Sequence, residues 1–260
     1  MPYSMLIDVT KCIGCQGCQV ACKNWNDKPA NRTTLGGDFG SPTALNSKTF
    51  TTVKFSEGAP QEGNSWHFTK QQCMHCVEPA CAAACACGAL KKSELGPVEY
   101  DEKKCIGCRY CMLACPFGTP TFEWEKALPT IQKCEMCSDR IKAGIEPACS
   151  KTCAPGAILF GDRNELIGIA EGRIAARPDK YIGRVYGKDE AGGTSIMYIS
   201  DTDFANLELT DGLENSKYSA YSWNALAKTP AVGVGAALLM AGFFFITNRK
   251  DRMGGNGEGK

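Results

Sequence analysis

The sequence predicts an α+β fold made of two similar units, followed by one membrane-spanning helix near the C-terminal end. Two observations predict this fold. Closely spaced cysteines recur in the same order in two parts of the chain, and a long apolar stretch without charges lies close to its end. A chain of 260 residues can bury its own hydrophobic core, so its 17 cysteines are not needed as disulfide staples.

The cysteines form four sets of four, and Cys87 is left over. The first and third sets have the spacing C-x2-C-x2-C-x3-C, which is typical of bacterial ferredoxins that bind iron–sulfur clusters. In that motif three thiolates hold one cluster, and the fourth cysteine binds the neighbouring cluster. The sixteen candidate ligands are, set by set, Cys12, Cys15, Cys18 and Cys22; Cys73, Cys76, Cys81 and Cys85; Cys105, Cys108, Cys111 and Cys115; and Cys134, Cys137, Cys149 and Cys153.

An internal repeat supports two ferredoxin-like units. Residues 8–15 (DVTKCIGC) are echoed at 101–108 (DEKKCIGC), and residues 78–90 (EPACAAACACGAL) are echoed at 146–158 (EPACSKTCAPGAI). Such a duplication is expected of a fold in which each unit encloses two [4Fe-4S] clusters. The sequence therefore predicts two such 2[4Fe-4S] units with insertions, and four [4Fe-4S] clusters in all.

The repeat also decides between two neighbouring cysteines. When the second pair of echoes is aligned, Cys85 falls on Cys153, whereas Cys87 falls on Pro155. We therefore predict that Cys85 is a cluster ligand and that Cys87 is not.

Zinc and disulfides are the alternatives for these cysteines. A single C-x2-C pair is more often a zinc knuckle or a redox pair, and the fourth set taken alone fits zinc. The alternative from a different class is therefore a membrane-tethered structural zinc protein. Two complete ferredoxin motifs in the same chain favour clusters, and the close C-x2-C-x2-C spacing would make thiols compete in a disulfide framework.

The composition excludes several other functions. Only two histidines, His67 and His75, are available for acid–base chemistry, haem ligation or a catalytic zinc site, so no catalytic residue is predicted. The formal net charge is +1 and no strongly basic block occurs, so nucleic acid is not an expected partner.

Short strands and helices are expected between the cysteine motifs. Helices should follow the two ferredoxin motifs, and residues 23–72 form a long insertion without cysteines, predicted as a loop over a partner or a cluster, or as a surface excursion. The other predicted elements are strands at 4–9, 157–160 and 194–200, a hairpin at 89–100 that turns at Gly96-Pro97, and a helix at 165–177.

One membrane span is predicted from Thr229 to Thr247, because this stretch lacks charges and is long enough to cross the hydrocarbon core as a helix. The basic residues Arg249, Lys250 and Arg252 follow it and predict a cytoplasmic C-terminus. The domain that carries the cysteines would then lie on the periplasmic side of the cell inner membrane. The N-terminus has no signal-like segment, so we expect export together with a partner that carries the signal.

The predicted domains follow from these boundaries. They are a four-cluster ferredoxin-like electron-transfer domain at 1–204, a linker at 205–228, the transmembrane helix at 229–247 in contact with membrane lipid, and a polar tail at 248–260.

Five runs of sequence resemble a known family. They are KCIGCQGCQVACKNWND, CMHCVEPAC, KKCIGCRYCMLACPF, KCEMCSDRIKAGIEPAC and EAGGTSIMYISD. These runs resemble the iron–sulfur (beta) subunits of respiratory, membrane-bound formate dehydrogenases that depend on molybdenum or tungsten. The resemblance runs from residue 5 to residue 204. Its cysteine motifs are shared with the wider family of four-cluster subunits in molybdopterin oxidoreductases and periplasmic hydrogenases.

The resemblance implies which cysteines share a cluster, whereas spacing alone would equally allow the third set to pair with the fourth. By analogy the first set pairs with the fourth, and the second set with the third. The implied ligand groups are Cys12, Cys15, Cys18 and Cys153; Cys134, Cys137, Cys149 and Cys22; Cys73, Cys76, Cys81 and Cys115; and Cys105, Cys108, Cys111 and Cys85.

The resemblance also implies a function in anaerobic respiration. The chain would be a non-catalytic electron-transfer subunit that relays electrons through four [4Fe-4S] clusters. A molybdopterin-containing catalytic (alpha) subunit would supply them, and a membrane cytochrome b (gamma) subunit would pass them to quinone. The alternative is the equivalent subunit of a periplasmic uptake hydrogenase or of another molybdopterin oxidoreductase.

Overall fold

The computed structural model of the protein describes residues 2–31, 42–58 and 65–254. The chain divides into two compact units, residues 1–219 and residues 220–260. Both α-helices and β-strands occur in the first unit, and a single long helix makes up the described part of the second. The predicted α+β class with one C-terminal transmembrane helix is confirmed.

A three-stranded sheet lies at the centre of the first unit. The middle strand, β1 (Tyr3–Asp8), pairs antiparallel with β8 (Ile158–Asp162) and parallel with β9 (Ile196–Ile199). One face of the sheet packs against helix α6 (Arg163–Ala176) through Leu6 and its neighbours, and the other face packs against residues of the cysteine loops. The sheet therefore joins the first cysteine loop to the end of the last one.

Helix α6 begins where the sequence places a good helix cap. The Asp162 carboxylate accepts hydrogen bonds from the backbone N–H groups of Asn164 and Glu165, at 2.9 and 3.3 Å. These groups have no partner inside the helix, so the cap stabilises its first turn. The helix predicted at 165–177 and the strand predicted at 194–200 are both present, with bounds that differ by one or two residues.

The other strands in the described part of the first unit form three two-stranded hairpins. The hairpin predicted at 89–100 is present as β4 (Leu90–Lys92) and β5 (Val98–Tyr100), and β6 (Thr121–Phe122) pairs with β7 (Ile131–Gln132). The short helices are α1 (Gly17–Trp25), α2 (Ala80–Ala83), α3 (Tyr110–Ala114), α4 (Ser138–Lys142) and α5 (Ala148–Lys151).

The insertion at 23–72 is not the loop that the sequence predicts. Strands β2 (Thr51–Glu57) and β3 (Trp66–Gln72) form a regular antiparallel hairpin within it. The prediction of a loop is wrong there because β3 contains many polar residues that are nevertheless buried. Its buried side therefore lacks the apolar alternation that marks a strand in sequence. Residues 32–41 and 59–64 of the insertion lie outside the described residues.

The second unit contains most of helix α7 (Tyr218–Gly254). Within it, residues Ala227–Arg249 are long and apolar enough to cross a membrane, with a mean hydropathy of 1.9. Among the described residues this is the only such helix. The large apolar side chains on it, such as Leu238 and Phe243, are exposed, as expected of a helix whose surroundings are lipid rather than protein.

A buried carboxylate ties the first strand to helix α6. Asp8 is fully buried and accepts hydrogen bonds from Arg173 Nη1 at 2.9 Å, Tyr181 Oη at 3.0 Å and Thr10 Oγ1 at 2.7 Å. A buried charge is tolerated only when it is paired and hydrogen-bonded. The end of β1, where the first cysteine loop begins, is therefore held in place by the rest of the unit.

Replacing Arg173 by methionine should lower the free energy of unfolding by about 3 kcal/mol, because it leaves the Asp8 carboxylate buried without its cation. Denaturant unfolding followed by circular dichroism measures the change. The matched control is Lys188→Met, which removes an exposed ion pair with Glu171 on the same helix, and surface pairs contribute little. An Arg173→Met protein no less stable than this control would contradict the role given to Asp8.

Candidate iron–sulfur centres

The first and third cysteine sets lie on loops with the same backbone conformation. Gly14 and Gly107 occupy equivalent positions and have φ angles of +67° and +68°. A Cβ atom at Gly14 would lie 2.6 Å from the Phe68 ring, and one at Gly107 would lie 2.8 Å from the Pro129 carbonyl oxygen. Only glycine fits both the conformation and the space. The C-I-G-C motif therefore specifies a tight turn that brings its cysteines to one side.

The second and fourth sets also share their local structure. Cys81 and Cys149 lie on the short helices α2 and α5, and both side chains are buried. The chain then turns at Gly88 and Gly156, which have φ angles of +65° and +63°. The repeat seen in the sequence is thus a repeat of backbone conformation, with two copies of each kind of loop.

Four cysteines from the first and fourth sets lie close together, and we call them group I: Cys12, Cys15, Cys18 and Cys153. Burial raises the pKa of the Cys12 thiol, and the nearby sulfurs of Cys153 and Cys15 raise it further. Burial and neighbouring sulfurs likewise raise the pKa of Cys18 to about 11. Helix packing explains why the first and fourth cysteine sets lie together, because α1, which follows the first loop, lies against α5.

The same two sets contribute group II: Cys134, Cys137, Cys149 and Cys22. Burial raises the pKa of Cys22 to about 12, and the Cys149 and Cys137 sulfurs add to the effect. The pKa of Cys134 is also raised, first by burial and then by the Cys22 sulfur. The last cysteine of the first motif therefore faces the cysteines of the fourth set.

The second and third sets meet in the same way and form two further groups. Burial raises the pKa of Cys76, and the Cys73, Cys115 and Cys81 sulfurs raise it further. We call these four group III: Cys73, Cys76, Cys81 and Cys115. Burial also raises the pKa of Cys111 to about 11, with added effects from three sulfurs that complete group IV: Cys105, Cys108, Cys111 and Cys85.

Each group lies next to another one. The Cys149 sulfur acts on Cys18 and links groups I and II, and the Cys111 sulfur acts on Cys81 and links groups III and IV. Groups II and III meet through Cys134 and Cys73, which pack with Cys22 and Phe50 in one buried apolar cluster. The contacts therefore run in the order I, II, III, IV.

The ends of this series reach the surface. Cys15 in group I and Cys108 in group IV are exposed, whereas Cys134 and Cys73, through which groups II and III meet, are buried. Ile13 and Ile106, which occupy equivalent positions beside them, are 63% and 71% exposed. The two outer groups are thus accessible from outside the chain.

The donor set fits iron–sulfur clusters better than zinc. All 17 cysteines are free thiols, and within residues 2–31, 42–58 and 65–254 no three metal-binding side chains lie close enough to hold a single ion. Zinc holds sulfur at about 2.3 Å, so a structural zinc site needs such a compact group. A [4Fe-4S] cluster has four metal atoms between its ligands and separates the thiolates more widely. The all-cysteine donor set and the two complete ferredoxin motifs fit iron–sulfur clusters.

Cys87 lies beside group IV. Its Sγ atom is 3.6 Å from the Cys85 Sγ atom, too far for a disulfide bond and close enough for a weak hydrogen bond between the two thiols.

Three buried or half-buried lysines lie among the groups, and the sequence analysis did not find them. Lys92 Nζ donates to the His75 carbonyl oxygen at 3.0 Å, and Lys133 Nζ donates to the Cys134 carbonyl oxygen at 2.9 Å. Burial lowers the pKa of Lys92 to about 8, although the Cys76 and Cys73 sulfurs oppose it. Lys70 is the most deeply buried of the three. Positive charge is therefore concentrated where thiolates would be.

His75, inside the CMHC motif, is fully buried and neutral. Burial lowers its pKa well below the usual value, and the charges of Lys133, Lys92 and Lys70 lower it further. Its Nδ1 atom accepts a hydrogen bond from the Val98 backbone N–H at 2.9 Å, which leaves the proton on Nε2. The ring therefore fixes the loop of group III against strand β5.

Comparisons with known proteins show which family the chain belongs to. A family model described as a 4Fe-4S dicluster domain matches residues 64–163. The formate dehydrogenase-O iron-sulfur subunit of Escherichia coli (strain K12) is 38% identical over 261 residues, which cover 95% of this chain and 84% of the relative. The chain belongs to the family of formate dehydrogenase iron–sulfur subunits. The resemblance seen in the five sequence runs is confirmed, as is the presence of iron–sulfur motifs.

Two further relatives show the breadth of the family. The nitrate-inducible formate dehydrogenase iron-sulfur subunit of E. coli (strain K12) is 41% identical over 198 residues, covering 75% of this chain and 66% of the relative. The Hydrogenase-2 operon protein HybA of E. coli O157:H7 is 34% identical over 235 residues, covering 79% of this chain and 72% of the relative. This chain is thus an electron-transfer iron–sulfur subunit anchored by one membrane span.

Cluster binding by this iron–sulfur subunit should strengthen as the pH rises. Burial raises the pKa of Cys18, Cys22 and Cys81 above the ordinary thiol value of 9.0. A cluster binds thiolates, so each of these thiols must lose a proton when the cluster enters, and protons compete more strongly at low pH.

We expect iron retention against a fixed chelator to fall by up to about tenfold per thiol for each pH unit of acidification below neutrality. Anaerobic iron and sulfide transfer to the cluster-free chain, with a chelator calibrated at each pH, measures the effect. Retention that is independent of pH would contradict protonated buried thiols.

Proposed function

We propose that this chain is the electron-transfer subunit of a membrane-bound formate dehydrogenase. It would receive electrons from a molybdopterin-containing catalytic subunit that oxidises formate, and deliver them to a membrane cytochrome b that reduces quinone. The observation that carries this proposal is the unbroken series of groups I to IV, whose two ends are exposed. The names of the formate dehydrogenase relatives support it.

Each of the four groups would hold one [4Fe-4S] cluster through its four thiolates. When bound, such clusters supply one-electron chemistry, which links a two-electron oxidation to a one-electron carrier. The chain itself contributes ligands, keeps water away from the inner groups and fixes their order. We propose that it performs no bond-making chemistry and is not an enzyme on its own.

The order of the four groups and the exposure of the two end groups favour electron transfer through the chain over storage of electrons in it. The link from group I to group II depends on Cys18 and Cys149, and the link between the two halves depends on the buried contact of Cys134 with Cys73. Cys15 and Cys108 lie at opposite ends of the series and are exposed. A donor at one end and an acceptor at the other could therefore exchange electrons with the chain without moving its interior.

The apolar span Ala227–Arg249 supports attachment to a membrane. We propose that it docks beside the cytochrome b subunit in the inner membrane. Arg249, Lys250 and Arg252 favour a cytoplasmic C-terminus, which puts the cysteine groups in the periplasm. Export alongside a partner that carries the signal remains our proposal for how they reach it.

A hydrogenase is the second candidate for the electron source, because HybA is 34% identical to this chain. The chain would then conduct electrons from a hydrogen-oxidising subunit. Co-purification of the native complex decides between them, since the catalytic subunit that accompanies the chain identifies the donor.

Replacing Cys108 by serine should convert or remove the cluster of group IV, because one of its four thiolates is lost. In the purified complex we expect a loss of one to about four irons from a total near sixteen. Formate-dependent quinone reduction should be interrupted, whereas formate oxidation with an artificial acceptor that takes electrons directly from the catalytic subunit should continue.

The matched control for this variant is Cys87→Ser, which removes the extra thiol beside Cys85. We expect unchanged iron content and quinone reduction. Iron lost equally in both variants would show that Cys87 is a ligand. A wild-type complex with zinc and no acid-labile sulfide would overturn the proposed function.

Truncation before Thr229 should separate electron transfer to quinone from cluster binding. The shortened chain should keep its iron, whereas quinone reduction in membranes should fall at least tenfold because the docking helix is missing. Removal of residues 253–260 alone is the control and should leave quinone reduction unchanged. A normal rate in the truncated complex would contradict the role of the helix.

A further inference from the structure

Lys70 on strand β3 is an ammonium group buried without a carboxylate partner. Its side chain is 2% exposed, and its Nζ atom hydrogen-bonds to the amide oxygen of Gln72. Among the described parts of the chain, no aspartate or glutamate forms an ion pair with it within 4.0 Å. An isolated buried ammonium is strongly unfavourable, because water no longer solvates its charge. The compensating negative charge must therefore come from another kind of group.

The groups that act on Lys70 are sulfurs from two cysteine groups, and these sulfurs become thiolates when they bind a cluster. Burial by itself lowers the pKa of Lys70, but the charges of Cys149, Cys18, Cys134 and Cys22 outweigh burial and raise the pKa above its ordinary value. Cys18 belongs to group I and the other three belong to group II. The lysine therefore lies within electrostatic reach of both groups.

The backbone of β3 holds Lys70 in this position. Lys70 is opposite Val53 in the β2–β3 ladder, and its carbonyl oxygen accepts a hydrogen bond from Tyr198 Oη at 2.8 Å. Tyr198 is itself fully buried on β9. Because the Lys70 backbone is held between β2 and Tyr198 and its side chain is buried, the ammonium does not reach solvent as that of a surface lysine does.

We propose that Lys70 is the shared countercharge of the clusters held by groups I and II, and that it raises the reduction potentials of both. This inference rests on the proposed function, because it requires clusters at those groups. Reduction adds one electron and one negative charge to a cluster, so a fixed cation nearby stabilises the reduced form. Lys70 is an electrostatic tuning residue, not a ligand.

The other two lysines do not duplicate this role. Lys92 is influenced by Cys76 and Cys73, and Lys133 acts on Cys81, all of which belong to group III. Removal of the Lys70 charge should therefore lower the first two potentials more than that of group III, whose loop contains His75, and should leave that of group IV. A general loss of stability would instead affect all four clusters.

The experiment is an anaerobic redox titration of the purified complex with dithionite as the electron donor, followed by electron paramagnetic resonance. Signals are assigned beforehand with Cys15→Ser for group I and Cys137→Ser for group II. In Lys70→Met we expect the equilibrium constant for one-electron reduction of both clusters to fall at least tenfold, which is a drop of about 59 mV in each midpoint potential. The equilibrium constant for reduction of group IV should change less than twofold, and that of group III should change less than those of groups I and II.

Two further variants separate charge from packing. Lys70→Arg keeps the charge and should keep both potentials. Lys54→Met is the matched control, because Lys54 lies on the same hairpin but its ammonium is paired with the Glu208 carboxylate at 3.0 Å, and it should leave all four potentials unchanged.

The outcomes distinguish this inference from the proposed function. A wild-type complex with fewer than four clusters would contradict the proposed function. Four clusters with unchanged potentials in Lys70→Met, a change in only one of the two, or an equal change in all four would overturn the inference alone. If Lys70→Met and Lys70→Gln lose the clusters of groups I and II while Lys70→Arg keeps them at wild-type potentials, the charge requirement stands. Loss in Lys70→Arg as well would indicate packing and overturn the inference.

Discussion

The structure depends on holding sulfur in places where its negative charge is unfavourable. Burial raises the pKa of thiols such as Cys22 and Cys81, so these thiols favour the protonated form until a cluster binds. Metal binding must supply the free energy that makes these thiols ionise. Part of the remaining electrostatic cost is offset by cations placed among the groups, of which Lys70 is the most deeply buried. The fold therefore combines anionic ligands with fixed positive charge and carries few acidic side chains in its core.

The duplication seen in the sequence accounts for local structure but not for everything built on it. The two C-I-G-C loops share their left-handed glycines, yet the aspartates that precede them have different surroundings. Asp8 is buried against Arg173, whereas Asp101 is partly exposed, caps the backbone N–H of Lys103 and contacts Lys104. The same motif thus serves as an internal anchor in one copy and as a simple turn in the other.

Much of the candidate site could be predicted from the sequence, because cysteine spacing is a direct consequence of cluster geometry. The sixteen candidate ligands, the repeat and the hairpin at 89–100 all follow from short-range patterns. The pairing of sets did not follow from spacing, since it depends on how α1 packs against α5. Lys70 was missed for a related reason: it lies on a strand of mostly polar residues, and only its three-dimensional neighbours explain why a lysine is buried there.

The nesting of the four groups along the chain has a consequence for biosynthesis. The cysteines of groups III and IV all lie between Cys73 and Cys115, so both can be completed while the ribosome is still translating the second half of the chain. Groups I and II each combine the first loop with residues up to Cys153 or Cys149. The first cysteines to emerge are therefore among the last to find their partners, and their thiols stay unpaired through most of translation.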